Sequence, residues 1–328
     1  MAQMTGRLEK EIKALAKVQA KLESLPPIIK NFYFYLEASD KSYTTIKNYI
    51  DYIIHFMVYC TNGKPSQDFY KDVTSSTINM YMSSIRYSKD QNDNIVKIGN
   101  SIRATRWSAL NTFFSYLRTN GLIVNNPLDQ TFRPSNKKER KVTYLTENEI
   151  KTCISNITTD NNSRFKNRDL CIISMGIATG LRVSAITQIN IEDVDLEHNT
   201  INVIEKGNKY RIIDFGDNLK KNLVAWLHDR KKYYNNVETN ALFISRKKNR
   251  ISVSAVEDLL QKYTQNIEKH ITPHKLRATC ATNLYKKTRD IYLVSNQLGH
   301  NNIATTKIYT DVDDDSKQKA VQALDSII

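Results

Sequence analysis

Apolar residues recur at intervals of three and four along the first third of the chain. Leu8, Ile12, Leu15, Val18 and Leu22 predict an amphipathic helix over residues 4 to about 24, with Lys and Glu between them. The Pro26-Pro27 pair stops or redirects that helix, and "IIKNFYFYLEA" follows. In "SYTTIKNYIDYIIHFMVYC", Ile46, Tyr49, Ile50, Ile53, Ile54 and Met57 share one helical side; Ser42 is the N-cap and "TNGKPS" the break. A further helix falls within "SSTINMYMSSIRYSK". The longest spans "IGNSIRATRWSALNTFFSYLRTNG", with Ile102, Leu110, Phe113, Phe114 and Leu117 as its buried stripe and Gly121 as its stop. Residues 26–130 therefore read as an all-helical domain, preceded by a helical extension over 1–25.

The pattern then breaks. "RPSNKKERKV", residues 133–142, holds five cations and no apolar residue before Val142, and reads as an extended basic linker within 131–143. "TYLTENEIKTCI" opens a second domain over 144–310, with Thr146 as N-cap and Glu149 at the capping-box position. This domain mixes periods. "RDLCIISMGIATGLRVSAITQI" predicts a buried helix, a turn at Thr179-Gly180 and a second helix. "TINVIEKGNKYRIIDFG" alternates as two strands joined around Gly207-Asn208. "DNLKKNLVAWLHDRKKYY" and "SVSAVEDLLQKYTQNI" are amphipathic helices. "TPHKLRATCATNLYKK" begins at Thr272 with Pro273 in its first turn, and Gly299 ends the short helix "DIYLVSNQL". The expected class is mainly α, with a small antiparallel sheet in the second domain.

Composition narrows the function. At 328 residues the chain can bury two cores, and no apolar run approaches the roughly 20 residues needed to span a bilayer. The charged N-terminal segment lacks a signal peptide's apolar core, so a cytoplasmic, nucleoid-associated protein is expected. Cys60, Cys153, Cys171 and Cys280 are scattered and form no CxxC pair, which fits reduced, mostly buried thiols. A net charge of +14 directs attention to a polyanion, nucleic acid first, although a solubilising surface would give the same number. No Walker loop or Rossmann fingerprint is present. The acids "DVDDD" lack the glycine and distal glutamate of an EF-hand, so neither a metal nor another cofactor is expected.

Several residues suit phosphate chemistry. His274 and Arg277, three apart at the start of a helix, share a face where backbone N–H groups favour an anion. Arg182 follows the Gly180 turn inside an apolar stretch and needs an anionic partner, either a ligand or a carboxylate such as Asp193. Lys206 ends the first hairpin strand, as a surface charge or a mobile acid. Lys97, Arg103 and Arg106 lie at or near the start of the long helix, and Lys137, Lys138 and Arg140 in the linker. These six are candidate DNA contacts, against the plainer reading of a solvated face.

Together, "ATGLRVS", "EKGNKYRIIDFG", "TPHKLRAT" and "NQLGHNNIATTKIYT" resemble the tyrosine recombinase, or phage integrase, family, in a Xer-like or mobile-element form. Arg277, His300 and Tyr309 are spaced by 23 and nine residues. The resemblance implies a catalytic set of Arg182, Lys206, His274, Arg277, His300 and the nucleophile Tyr309. Residues 26–130 would be the family's helical core-binding domain, and the two domains would form a clamp on DNA. The family usually carries an acid three residues after the first arginine; here Ala185 stands in that place.

The same resemblance implies site-specific strand exchange through a 3′-phosphotyrosine, without metal or ATP. Its partners would be double-stranded DNA and three further copies, a homotetramer on two duplexes, with an accessory DNA-bending protein as an optional addition. Residues 311–328 carry Val321, Leu324 and Ile327 or Ile328 at helical spacing, and read as a tail that docks on a neighbouring protomer. A catalytically impaired architectural relative is the main alternative, and a topoisomerase-like nicking and closing enzyme the second. The biological task (integration, excision or dimer resolution) is not set by these residues.

Overall fold

The structure is a computed structural model that describes residues 6–64, 66–90, 93–135, 142–161, 163–205, 209–234, 237, 239–299 and 302–312. The chain divides into two compact units, Met1–Lys138 and Glu139–Ile328.

The first unit contains α1 (Gly6–Leu22), α2 (Pro27–Ala38), α3 (Tyr43–Cys60), α4 (Ser75–Ser84) and α5 (Asn100–Thr119), with a short hairpin of β1 (Tyr87–Lys89) and β2 (Ile95–Lys97). Caps set the helix starts. Ser42 accepts from the Thr45 N–H, and Thr74 and Thr77 satisfy each other's backbone amides at α4. Aromatic rings fill the core, with Phe32 edge-on to Phe113 at 5.0 Å and Phe56 edge-on to Tyr81 at 4.9 Å. Gly121 adopts φ 68° after α5, and Leu122 N–H closes back on the Leu117 carbonyl at 2.9 Å.

Two expectations change here. Ile102 is half exposed, because the buried stretch of α5 begins only at Ala109 and its first turn is uncovered. The reading of residues 26–130 as all-helical gives way to one hairpin: the Asp90 carboxylate accepts from Asn94 N–H at 2.9 Å, closing a turn that folds β1 antiparallel onto β2. Such local side-chain bonds compete with helix formation, and they place Lys97 on a strand.

The second unit contains α6 (Glu147–Thr158), α7 (Lys166–Thr179), α8 (Val183–Ile186), β3 (Val194–Asp195), β4 (Thr200–Glu205), β5 (Lys209–Asp214), α9 (Asp217–Tyr234), α10 (Val253–Thr264), α11 (Pro273–Thr288) and α12 (Ile291–Leu298). Two 3-10 segments follow, Ile303–Thr305 and Lys307–Val312. The mainly helical class with a small antiparallel sheet in this unit is the one expected from the sequence. Thr146 and Glu149 form the anticipated capping box. Helix α7 buries Ile172, Ile173 and Met175 completely and packs against α9 and α11. The sheet runs β3-β4-β5; Ile201, Val203 and Ile213 face the core, while Ile204, Tyr210 and Ile212 face out. Strand β3 is too short for any alternation to announce it.

All four cysteines are free, and three of them are buried. Among the described residues no helix is long and apolar enough to cross a membrane, and no cluster of His, Cys, Asp and Glu could hold a metal ion.

Gly180 ends α7 at φ 65°, and a Cβ there would lie 2.8 Å from Leu298 Cδ2 and 3.1 Å from Cys280 Sγ. Left-handed strain and overpacking act together, so Gly180→Ala is expected to destabilise the unit by about 2–4 kcal/mol. Urea denaturation followed by far-UV circular dichroism measures this; an unchanged midpoint would show that α12 moves aside freely.

Candidate active site

Two helix C-termini meet beside a third helix in the second unit. Helix α7 stops at Gly180, α12 stops at Gly299 (φ 64°), and α11 runs beside both. Close approach is built in: a Cβ on Gly176 would come within 2.9 Å of Leu276 Cδ1 on α11. From α11, Arg277 reaches into the junction with only 5% of its surface exposed. Its guanidinium donates to the Gly180 carbonyl at 2.7 Å and to the Leu298 carbonyl at 2.5 Å. These are carbonyls at the negative ends of two helix dipoles, which hold a cation without a carboxylate being required.

Tyr309 lies in the segment Lys307–Val312 and is 7% exposed. It belongs to a buried apolar cluster with Ala278, Ala281, Val294 and Leu298, against which Leu284 and Tyr285 pack. Burial pushes its phenol above the ordinary tyrosine value, the Arg277 charge pulls it back, and the Cys280 thiol adds to the rise. A buried phenol is thus electrostatically coupled to a buried guanidinium. Cys280 is itself buried, its thiol pushed up to about 11.

Arg182 is half-buried at the N-cap of α8, directly beyond the Gly180 turn. Ala185 is buried in the same short helix. The far end of α8 is held by Arg250, which donates to the Thr187 carbonyl at 3.0 Å, the Ile189 carbonyl at 3.1 Å and Asn190 Oδ1 at 2.5 Å. Asp193, considered as an internal partner for Arg182, accepts from the Asn190 N–H at 2.8 Å and lies close to the Arg250 charge.

His274 and Arg277 do not behave as an equal pair. His274 is exposed and Arg277 is buried, because residues three apart on a helix are offset by about 60° around its axis, enough to put one at the groove edge. Lys206 and His300 lie outside the described residues. The chain on either side of them is described: β4 ends at Glu205, β5 starts at Lys209, and Gly299 closes α12.

Arg211 was not among the residues singled out from the sequence. Strand alternation was the available signal, since position 211 falls on the inward face with Ile213 and pairs with Val203. Its guanidinium donates to the Asn296 carbonyl at 2.8 Å and the Gln297 carbonyl at 3.2 Å, in the last turn of α12. Gln297 in turn donates from Nε2 to the Thr179 carbonyl at 3.1 Å.

In the first unit, Lys97 is exposed at the end of β2. Arg103 donates to the Met82 carbonyl at 2.9 Å and Asn100 Oδ1 at 3.2 Å, and Arg106 lies over the Tyr52 ring, 5.4 Å from its centroid. Both are therefore fixed side chains and not freely solvated ones. Lys137, Lys138 and Arg140 lie outside the described residues.

The profile of the phage integrase family matches residues 143–316, just over half of the chain and the whole of this site. The chain belongs to that family. A tyrosine recombinase XerC of Caldanaerobacter subterraneus subsp. tengcongensis is 31% identical over 314 residues, covering 90% of this chain and 86% of the relative. A tyrosine recombinase XerC of Vibrio cholerae is 34% identical over 212 residues, covering 64% of this chain and 67% of the relative. Among solved structures, a XerH site-specific recombinase in a post-cleavage complex with palindromic difH substrate shares the fold. It has a TM-score of 0.69 and 24% identity over 87% of this chain and 81% of the other. The Tn1549 transposon integrase bound to transposon right-end DNA is similar in fold at a TM-score of 0.67, with 18% identity over 90% of this chain and 99% of the other.

Proposed function

We propose that this integrase-family chain is a site-specific DNA recombinase that breaks and rejoins strands through a 3′-phosphotyrosine. Family membership and relatives named tyrosine recombinases support the class. The observation that carries the chemistry is the buried Tyr309 phenol beside the buried Arg277 guanidinium, at the junction of two helix C-termini.

In the proposed reaction, the Tyr309 oxygen attacks a backbone phosphorus and the bond to the 5′-oxygen breaks. Arg182 and Arg277 neutralise the charge growing on the non-bridging oxygens. His274 accepts the phenol proton, Lys206 protonates the departing 5′-oxygen, and His300 hydrogen-bonds the phosphate. The covalent link conserves the energy of the phosphodiester, so a 5′-hydroxyl from a partner strand can reverse the step with exchanged strands. Neither metal nor ATP enters the balance.

The partner is duplex DNA, contacted by both the helical unit and the catalytic unit. Lys97, Arg103, Arg106, Lys137, Lys138 and Arg140 are the proposed phosphate contacts, giving strong salt dependence. Strand exchange calls for four copies on two duplexes, with residues 311–328 docking on a neighbour and room for a DNA-bending accessory protein. A cytoplasmic, nucleoid-associated location follows from that substrate.

Incubation with a nicked suicide duplex carrying the element's own end sequence, in EDTA and without nucleotide, should yield a covalent protein–DNA adduct. Peptide mapping should find the nucleotide on Tyr309. An adduct on another residue, or one formed only with added divalent metal, would overturn the proposed chemistry.

A further inference from the structure

The β4–β5 sheet turns an arginine toward the protein body where an apolar residue would ordinarily sit. Ile201, Val203 and Ile213 on the same face are buried, and Arg211, opposite Val203, shares their orientation. A guanidinium on an inward face is costly unless its donors are used. Here one nitrogen, Nη2, serves two successive carbonyls of α12, those of Asn296 and Gln297. The next carbonyl, that of Leu298, belongs to Arg277. The last turn of α12 therefore receives two guanidinium groups, one from the hairpin and one from the phosphate site, at the end of the helix where cations are favoured.

Chain connectivity gives this contact its meaning. Strand β5 begins at Lys209, three residues after Lys206, and Arg211 follows that lysine by five residues. On the other side, α12 leads through Gly299 into His300 and Tyr309. We propose that Arg211 is a positioning residue for Lys206, acting by tying strand β5, which follows that lysine in the chain, to the last turn of α12. The side chain is engaged on α12 carbonyls, so its effect on the reaction passes through the leaving-group side of the site. This inference rests on the reading of Lys206 as the group that protonates the 5′-oxygen.

A substrate with sulfur replacing the bridging 5′-oxygen separates these roles. When Tyr309 attacks, the P–S bond breaks and a thiolate leaves without needing a proton, so a displaced acid no longer matters. On the ordinary nicked duplex, Arg211→Ala is expected to cleave roughly 10²-fold slower than the parent, the scale of a small misplacement. On the sulfur-bridged duplex it should recover to within about threefold, because general acid catalysis is no longer called on. Arg211→Lys, which can still reach one carbonyl, should fall between them. Lys206→Ala is run beside it. Half-site binding and thermal melting, measured on each variant, confirm that comparisons are made on folded, DNA-bound protein.

Recovery of both variants on sulfur supports the inference. Recovery of Lys206→Ala without Arg211→Ala overturns it alone, and assigns Arg211 to the Tyr309 side or to general stability. Failure of Lys206→Ala to recover overturns the lysine reading and the inference with it. Parent-like cleavage of the ordinary duplex by Arg211→Ala also overturns it.

Discussion

Tyr309→Phe is expected to leave no detectable covalent adduct on a nicked suicide duplex while binding DNA as the parent does. The substitution removes one oxygen from a ring that stays buried in the cluster with Ala278, Ala281, Val294 and Leu298, so the packing survives. Stability should change by no more than about 1 kcal/mol at neutral pH, the range of one hydroxyl's interactions. Adduct formation resolved by denaturing electrophoresis is the measurement, with gel-shift binding as its control; a persistent adduct would remove Tyr309 as nucleophile.

The acidity of the phenol adds a second signature. Burial holds its pKa above the ordinary value of 10, partly offset by Arg277. The folded state thus favours the neutral ring. That preference contributes fully below pH 10 and is lost as pH climbs through the raised folded value. Above pH 10 the parent should lose stability relative to Tyr309→Phe, which has no proton to release. In catalysis the same preference suppresses spontaneous ionisation: rate controlled by free phenolate would rise tenfold per pH unit across neutrality. A flat profile there would identify general-base removal of the proton.

Arg277→Ala should lower both rate and stability, because it removes charge and structure together. The Gly180 and Leu298 carbonyls would both lose a buried donor, at about 1–3 kcal/mol each. Loss of a positioned cation facing transition-state charge costs roughly 10²–10³ in rate. Arg277→Lys keeps the charge but cannot hold two carbonyls in a fork, so it should recover less of the rate than charge alone suggests. Single-turnover cleavage below each variant's melting temperature separates the two losses. Arg277→Ala with parent-like cleavage would remove the guanidinium from the mechanism.

Much of the catalytic unit was legible before any coordinates. The capping box at Thr146 and Glu149, the Gly180 and Gly299 stops and the strands on either side of residues 206–208 are local events, dictated by backbone donors, left-handed turns and a period of two. The order and types of the six candidate residues carried the family resemblance, and the family match bears that out. Where local rules competed, the sequence was less informative. A helix within "SSTINMYMSSIRYSK" formed as expected, but the all-helical reading of residues 26–130 missed the β1–β2 hairpin that the Asp90–Asn94 turn closes. Ile102 fitted the apolar stripe of α5, but it stands half exposed.

The tertiary structure decided the partners. Nothing in "TPHKLRATC" says that Arg277 will be spent on the carbonyls of Gly180 and Leu298, residues 97 and 21 positions away. Nor does the sequence tell that Arg211 will hold the end of α12, or that Arg250 will hold the segment beyond Ala185. Helix ends expose carbonyls whichever residues form them, so the acceptors leave no side-chain signature. By itself the sequence determined which elements form and which chemical groups they carry. Only packing brought two helix C-termini together beside α11 and determined which guanidinium each carbonyl receives.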